Sequence, residues 1–219
     1  MIGCCIFDLD GTLLNTLTTI THYVNKTLEK HGIEPISEDN CRAFIGNGAK
    51  YLIDSALKFR GAYSEEFSSL VLKEYNAAYN ENTSYLTEEY LGITDMLKSL
   101  SACGIKLGVL SNKPEETTRL AVEKFFPEIF DAVHGGRAGV RLKPHPDALL
   151  DMINGLGATL GETAYIGDTG VDVKTALAAR VALPIGVSWG FRDRVELVSA
   201  GASVIVDTVD ELKKVIENA

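Results

Sequence analysis

The sequence predicts an α/β fold in which a parallel sheet alternates with helices and an all-helical block is set in after the first strand. Three observations carry this reading. An uncharged N-terminal run, residues 1–7, empties into Asp8-Leu9-Asp10-Gly11-Thr12. The next stretch, about 16–86, reads as successive helices with no β-rich run. From Gly92 onward short apolar runs alternate with helical stretches, the pattern of βαβ units around a parallel sheet. Residues 1–15 and 87–219 are thus assigned to a core and 16–86 to an inserted helical cap. No Gly-, Ser- or Pro-rich linker and no internal repeat interrupts this division.

The first run carries no charge and so reads as a short strand buried at the centre of the sheet. Asp8 and Asp10 then lie at its carboxyl end, where open α/β sheets gather their ligands. Two carboxylates this close repel unless a cation or a shared proton relieves them, and a divalent metal is the simplest relief. Gly11 lets the backbone turn sharply beside them. Asp-Gly-Thr is also ordinary turn and capping chemistry, so the pair gains meaning only together with polar groups at other strand ends.

The block contains expected helices at 18–30, 38–41, 49–59 and 64–80. In the first, Ile20, Val24 and Leu28 recur at four-residue spacing as one apolar stripe, and Gly32 closes it. Ser37, with Asn40 three residues on, suits a cap for the second, and Ser64 before Glu65 and Glu66 suits the start of the fourth. A helical block in this place is a candidate lid. Beyond it, helices are expected at 93–102, 115–126, 146–154, 171–179, 195–200 and 209–217, and strands at 106–110, 132–134, 163–166, 184–187 and 203–206.

Three later strand ends carry polar groups. The run ending at Leu110 opens into Ser111-Asn112-Lys113-Pro114, a hydroxyl and backbone amides ahead of a helix, which is a phosphate-cradle arrangement as well as an ordinary turn. In Leu142-Lys143-Pro144-His145-Pro146, Pro144 biases Lys143 toward extended backbone and Pro146 suits the first turn of a helix, so Lys143 sits on a stiff loop. The strand through Tyr165 and Ile166 ends at Gly167-Asp168, and Asp172 comes four residues later at a helix start. With Asp8 and Asp10, Asp168 makes three acids at one sheet edge, and oxygen ligands with retained waters describe a magnesium site.

The 219 residues are 46% hydrophobic and 23% charged, an ordinary soluble composition. A net charge of -9 argues against a nucleic-acid or anionic-membrane surface, so an anionic substrate must be held by a local cluster of donors. No apolar run approaches a membrane span and the N-terminus lacks a signal-peptide pattern, so a cytoplasmic protein is expected, as a monomer or weak homodimer. Cys4, Cys5, Cys41 and Cys103 match no zinc signature and are expected as reduced thiols, with Cys4 and Cys5 on opposite faces of the first strand. His22, His31, His134 and His145 form no metal-spaced cluster and none is given a catalytic role.

Asp8-Leu9-Asp10-Gly11-Thr12, Ser111, Lys143-Pro144 and Gly167-Asp168 with Asp172, in this order, resemble the four motifs of the haloacid dehalogenase superfamily over essentially the whole chain. The phosphoglycolate phosphatase branch is the most similar, through Phe44-Ile45-Gly46-Asn47-Gly48-Ala49 and Val187-Ser188-Trp189-Gly190-Phe191. The resemblance implies a Rossmann-like core and an inserted cap. It implies Asp8 as nucleophile, Asp10 as general acid and base, and Mg²⁺ held by the side chains of Asp8 and Asp168 and the backbone carbonyl of Asp10. Lys143, Ser111 and the Asn112 amide would bind phosphate oxygens, and Asp172 would orient Lys143 or the metal's waters. In the cap, Gly46, Asn47 and Gly48 would approach the leaving group, with Arg42 and Lys50 available to a substrate carboxylate. The substrate would be a small phosphorylated metabolite such as 2-phosphoglycolate.

Two departures accompany the resemblance: Asn15 stands where many relatives carry an acid, and Arg180 where a helix-ending glycine is usual. The alternatives are a nucleotide or pyrophosphate phosphatase, a β-phosphoglucomutase-like isomerase, and a metabolite-binding domain without catalysis. The presence of Asp10 favours phosphoryl transfer over dehalogenation.

Overall fold

A computed structural model describes residues 1–219. The chain begins with β1 (Cys4–Phe7), whose four residues are all buried. It then crosses a two-residue strand, β2 (Leu14–Asn15), into four helices: α1 (Leu17–Lys30), α2 (Glu38–Phe44), α3 (Ala49–Phe59) and α4 (Glu65–Glu81). β3 (Glu88–Glu89) returns antiparallel to β2, so the two passages between sheet and helical block are paired as a short ribbon. Two-residue strands carry no readable periodicity, which is why neither is legible in the sequence.

Strands and helices then alternate: α5 (Ile93–Ala102), β4 (Lys106–Pro114), α6 (Glu115–Phe125), β5 (Ala132–Gly136), α7 (Asp147–Gly155), a 3-10 turn at Leu160–Glu162, β6 (Thr163–Gly167), α8 (Gly170–Ala179), β7 (Leu183–Val187), α9 (Arg194–Ser199), β8 (Val204–Val206) and α10 (Val209–Glu217). The six main strands pair in parallel in the order β5-β4-β1-β6-β7-β8. β1 is central, with Phe7 beside Val109 on one side and Ile166 on the other, so Asp8 emerges between the ends of β4 and β6.

Packing is set by alternation along β1. Cys5 and Phe7 face a core shared with α5, α6 and α10, through residues such as Leu97, Val122 and Leu212. Cys4 and Ile6 face the opposite core, against Leu149 and Met152 of α7 and Ala176 of α8. Four free cysteines are present, of which only Cys103 is exposed. The helical block has a third core, built on Val24, Leu28, Ile53, Leu57 and Val71, which also receives Phe191 from the loop after β7.

Most boundaries lie within a residue or two of expectation, and the exceptions have local causes. α2 continues to Phe44, past 41, and ends at Ile45, whose extended backbone leads into the Gly46-Asn47-Gly48 turn with its two positive-φ glycines. β4 continues to Pro114, past 110, through a shift in its register with β5. Arg180 adopts φ 59°, the left-handed conformation usually given to glycine, and α8 ends there in the ordinary way.

Candidate active site

Hydrogen bonding of the Asp8 backbone N–H to the Ile166 carbonyl (2.8 Å) continues the sheet to the point where the site begins. The Asp8 carboxylate then accepts the Leu9 N–H (2.7 Å) and pairs with the Lys143 ammonium (3.0 Å), both through Oδ1. Burial pushes the Asp8 carboxyl well above its ordinary pKa, with Asp172 and Asp168 adding to the rise and Lys143 opposing it. Lys143 is itself 4% exposed. Burial alone would lower its pKa, but Asp172 at 2.7 Å and Asp8 more than offset this and hold it well above the ordinary lysine value.

Asp168 is fully buried at the end of β6, where its carboxylate accepts the Thr12 hydroxyl (3.1 Å) and the Phe191 N–H (2.8 Å). Burial, with a further push from Asp172, raises its pKa to about 7. Glycine is required beside it: Gly11 has φ +84°, and a Cβ on either Gly11 or Gly190 would overlap the Asp168 carboxylate. Asp172 forms a capping box with Thr169 at the start of α8. Its Oδ1 takes Lys143 and the Tyr165 hydroxyl (3.2 Å), while Oδ2 takes the Thr169 N–H and hydroxyl. Both oxygens are therefore committed to the chain, and Asp172 acts here by holding Lys143.

Carboxylate oxygens of Asp8, Asp168 and Asp172 lie within 4.8 Å of one another. The Asp10 carboxylate is not in that cluster; it turns to the Thr16 hydroxyl (2.8 Å) and the Lys113 ammonium (3.0 Å). The four acids face two ammonium groups, Lys143 and Lys113. The imbalance, together with a donor set of hard oxygens, fits a divalent cation between Asp8 and Asp168.

Above the acids lies a cavity of about 60 Å³ between the sheet edge and the helical block. That is room for roughly four to six water-sized sites, the scale of a small molecule. Asp8, Asp10, Ser111, Asn112 and Lys113 line it from the sheet; Ile45, Gly46, Gly48, Leu52, Tyr75 and Tyr79 line it from the block.

The remaining expected residues fall in different surroundings. The Asn112 side chain is not free for phosphate: its amide nitrogen bonds the Gly46 carbonyl (2.9 Å) and the Lys143 carbonyl (3.0 Å), and its oxygen takes the Lys143 N–H (2.9 Å). Only its backbone remains available for that role. Lys50 is half exposed and pairs with Asp54 (3.0 Å), one turn along the same helix, and with Glu65 (3.1 Å) at the start of α4. Arg42 is on the exposed face of α2 and borders a separate crevice with Arg192, Asp193 and Glu196. Gly46 and Gly48 line the cavity, whereas Asn47, Arg42 and Lys50 do not.

Lys113 is the residue that sequence reading misses. In the sequence it belongs only to a turn, although a lysine between a strand and Pro114, two residues from a candidate phosphate donor, is a signal that could have found it. The contacts of Thr12, Tyr79 and Phe191 are missed for a different reason: their partners are brought in by tertiary contact alone, whereas Thr16 reaches Asp10 from only six residues away.

A family model described as haloacid dehalogenase-like hydrolase matches residues 5–184. A phosphoglycolate phosphatase from Rhodospirillum rubrum is 32% identical over 209 residues, covering 92% of this chain and 86% of the relative. One from Aquifex aeolicus is 30% identical, covering 97% and 96%. Among solved structures, that of a candidate phosphoglycolate phosphatase from Lactobacillus delbrueckii subsp. bulgaricus superposes with a TM-score of 0.91 at 32% identity, covering 98% of each chain.

Proposed function

The chain belongs to the haloacid dehalogenase-like hydrolase family and is one of its phosphatases, and from that premise we propose that it hydrolyses a small phosphorylated acid of the phosphoglycolate type, with Asp8 as nucleophile and Mg²⁺ as its metal. The observation that carries the reading is the pairing of Asp8 with Lys143 at 3.0 Å, with Asp10 bordering the same cavity. A carboxylate with a fixed ammonium beside it can meet a phosphoryl group without the two anions being left to repel.

In the first step an Asp8 oxygen attacks phosphorus, the bond to the leaving oxygen breaks, and Asp10 gives that oxygen its proton. In the second, Asp10 takes a proton from water, the water oxygen bonds to phosphorus, and the Asp8 acyl-phosphate bond breaks to free Asp8 and inorganic phosphate. Lys143 and the Ser111 hydroxyl hold the phosphoryl oxygens, with Asp172 keeping Lys143 in place. Mg²⁺, held by Asp8, Asp168 and the Asp10 carbonyl, would neutralise phosphate charge when bound.

Residues 16–86 act as a cap in this reading, and the size of the cavity suits a short leaving group. No helix is long and apolar enough to cross a membrane, and the free cysteines suit action in the cytoplasm. The test is phosphate release with Mg²⁺ across a panel of phosphomonoesters, ranked by kcat/KM. A short phospho-acid should lead the panel; a preference for nucleotides or sugar phosphates would overturn the substrate assignment.

A further inference from the structure

Lys113 has a buried position that the two-step mechanism does not use. Its side chain is 6% exposed, yet its ammonium touches no oxygen of the Asp8, Asp168 and Asp172 cluster. It lies 3.0 Å from Oδ1 and 3.2 Å from Oδ2 of Asp10, so it grips both oxygens and fixes the plane of that carboxylate. Its third contact is the Tyr79 hydroxyl at 3.0 Å, with the Tyr79 ring centroid 4.2 Å away. Tyr79 is itself buried and belongs to α4 of the helical block. At the other end, the Lys113 N–H bonds the Ser111 hydroxyl (3.2 Å), tying the residue to the strand end.

An ammonium taken out of water persists only where its partners replace hydration, and here one partner is the acid–base carboxylate while another comes from the block. Asn112 repeats the arrangement one residue earlier, bonding the Gly46 carbonyl in the block while holding Lys143 in the core. Consecutive residues thus each tie one core group to the block. Proton transfer to a departing alkoxide demands close positioning of the donor, whereas a leaving group of low basicity needs little such help.

We propose that Lys113 is a positioning residue for Asp10, seated by Tyr79, so that the acid–base carboxylate is set for alkoxide departure when the helical block packs on the sheet. The proposal rests on the phosphatase reading and adds to it how Asp10 is placed. It predicts a dependence on leaving group that a merely structural residue does not produce.

The test measures kcat/KM of wild type, Lys113→Met and Tyr79→Phe on 2-phosphoglycolate, ethyl phosphate and 4-nitrophenyl phosphate with Mg²⁺, with circular dichroism to verify folding. Lys113→Met is expected to lose roughly 10- to 100-fold on both alkyl esters, and a loss roughly fivefold or more smaller on the aryl ester. Tyr79→Phe should shift the same ratio in the same direction by a smaller factor, and it alone decides the matter if Lys113→Met does not fold. Equal losses on all three esters, or an unchanged ratio in Tyr79→Phe, overturn the proposal. A loss confined to 2-phosphoglycolate also overturns it, since Lys113 would then be a carboxylate receptor. Wild type that hydrolyses none of the three removes the phosphatase reading and the proposal together, which separates that failure from the others.

Discussion

Asp8 and Asp10 are two residues apart on one strand end, yet their surroundings differ: Asp8 meets Lys143 and lies near two further acids, while Asp10 meets Lys113 and Thr16. That separation suits one for nucleophilic attack and the other for proton transfer. Replacing Asp10 with Asn should lower kcat by roughly 10²- to 10⁴-fold, the usual worth of an acid–base group. Steady-state rates within a few-fold of wild type would take that role from it. Gly190→Ala puts a methyl group into the Asp168 carboxylate and the Gly11 carbonyl. It should weaken Mg²⁺ activation while leaving helix content near wild type, and an unchanged activation midpoint would show that Asp168 is not a metal ligand. Asp8, Asp10 and Asp168 were legible because each comes after an apolar run at a strand end, Asp172 because it opens the helix that follows one, and Lys143 because two prolines stiffen its loop. Lys113, beside a candidate phosphate donor, was passed over as a turn residue, and Tyr79 was not legible because its contact with Lys113 spans 34 residues in sequence.

The loop after β7 does at the scale of elements what Lys113 does for one carboxylate. Phe191 donates its N–H to Asp168 while its ring enters the core of the helical block, and Trp189 donates to the Thr12 carbonyl (3.1 Å). Arg192 donates to the carbonyls of Arg42 (2.7 Å) and Ile45 (2.9 Å), at the start of the Gly46-Asn47-Gly48 turn. Phe191→Ala should cost about 3 kcal/mol, near the lower end for a buried aromatic because the site lies between two bodies; a change in unfolding free energy below about 1 kcal/mol would mean the ring is not anchored. Arg192→Ala should raise KM for the preferred substrate more than it lowers kcat, measured by steady-state kinetics, since the turn it holds lines the cavity and not the reacting atoms. Helix positions in the block were readable from apolar spacing and caps such as Ser37 and Ser64. Which loop of the sheet would clasp them was not: the run ending at Phe191 carried a family resemblance but no sign of its contacts, and Arg192 resembles any surface-loop residue until the chain is folded.

Across the whole molecule, the concentration of acids at one sheet edge makes stability depend on pH and on cations. Asp168 has an ordinary value of 3.8 and is raised by burial to about 7, and Asp8 is raised as well. Between those values the folded chain holds a proton that the unfolded chain has released, so folding loses stability as pH rises through the window. Lys143 does not reverse this, because a raised lysine acts only in the alkaline range. Metal-free protein should therefore show, from these groups, a Tm that falls between pH 4 and pH 7. A divalent cation such as Mg²⁺, held by these acids in their ionised form, should raise Tm more at pH 8 than at pH 5, in thermal scans at matched ionic strength. A cation effect that is equal at both pH values would contradict this origin. The order of strand ends was legible from alternation, and it brought Asp8, Ser111, Lys143 and Asp168 to one edge; the block's seating over that edge depends on contacts no local pattern encodes.

That Asp8 forms the bond to phosphorus is the central claim, and trapping tests it most directly. Wild type mixed with 2-phosphoglycolate and Mg²⁺ is quenched during turnover and reduced with borohydride, which converts an aspartyl phosphate to homoserine, and the chain is mapped by mass spectrometry. Homoserine is predicted at position 8 in wild type and absent from the Asp8→Asn variant, which should also lose turnover. Sustained turnover with no trapped product at Asp8, or normal rates in Asp8→Asn, would contradict the claim.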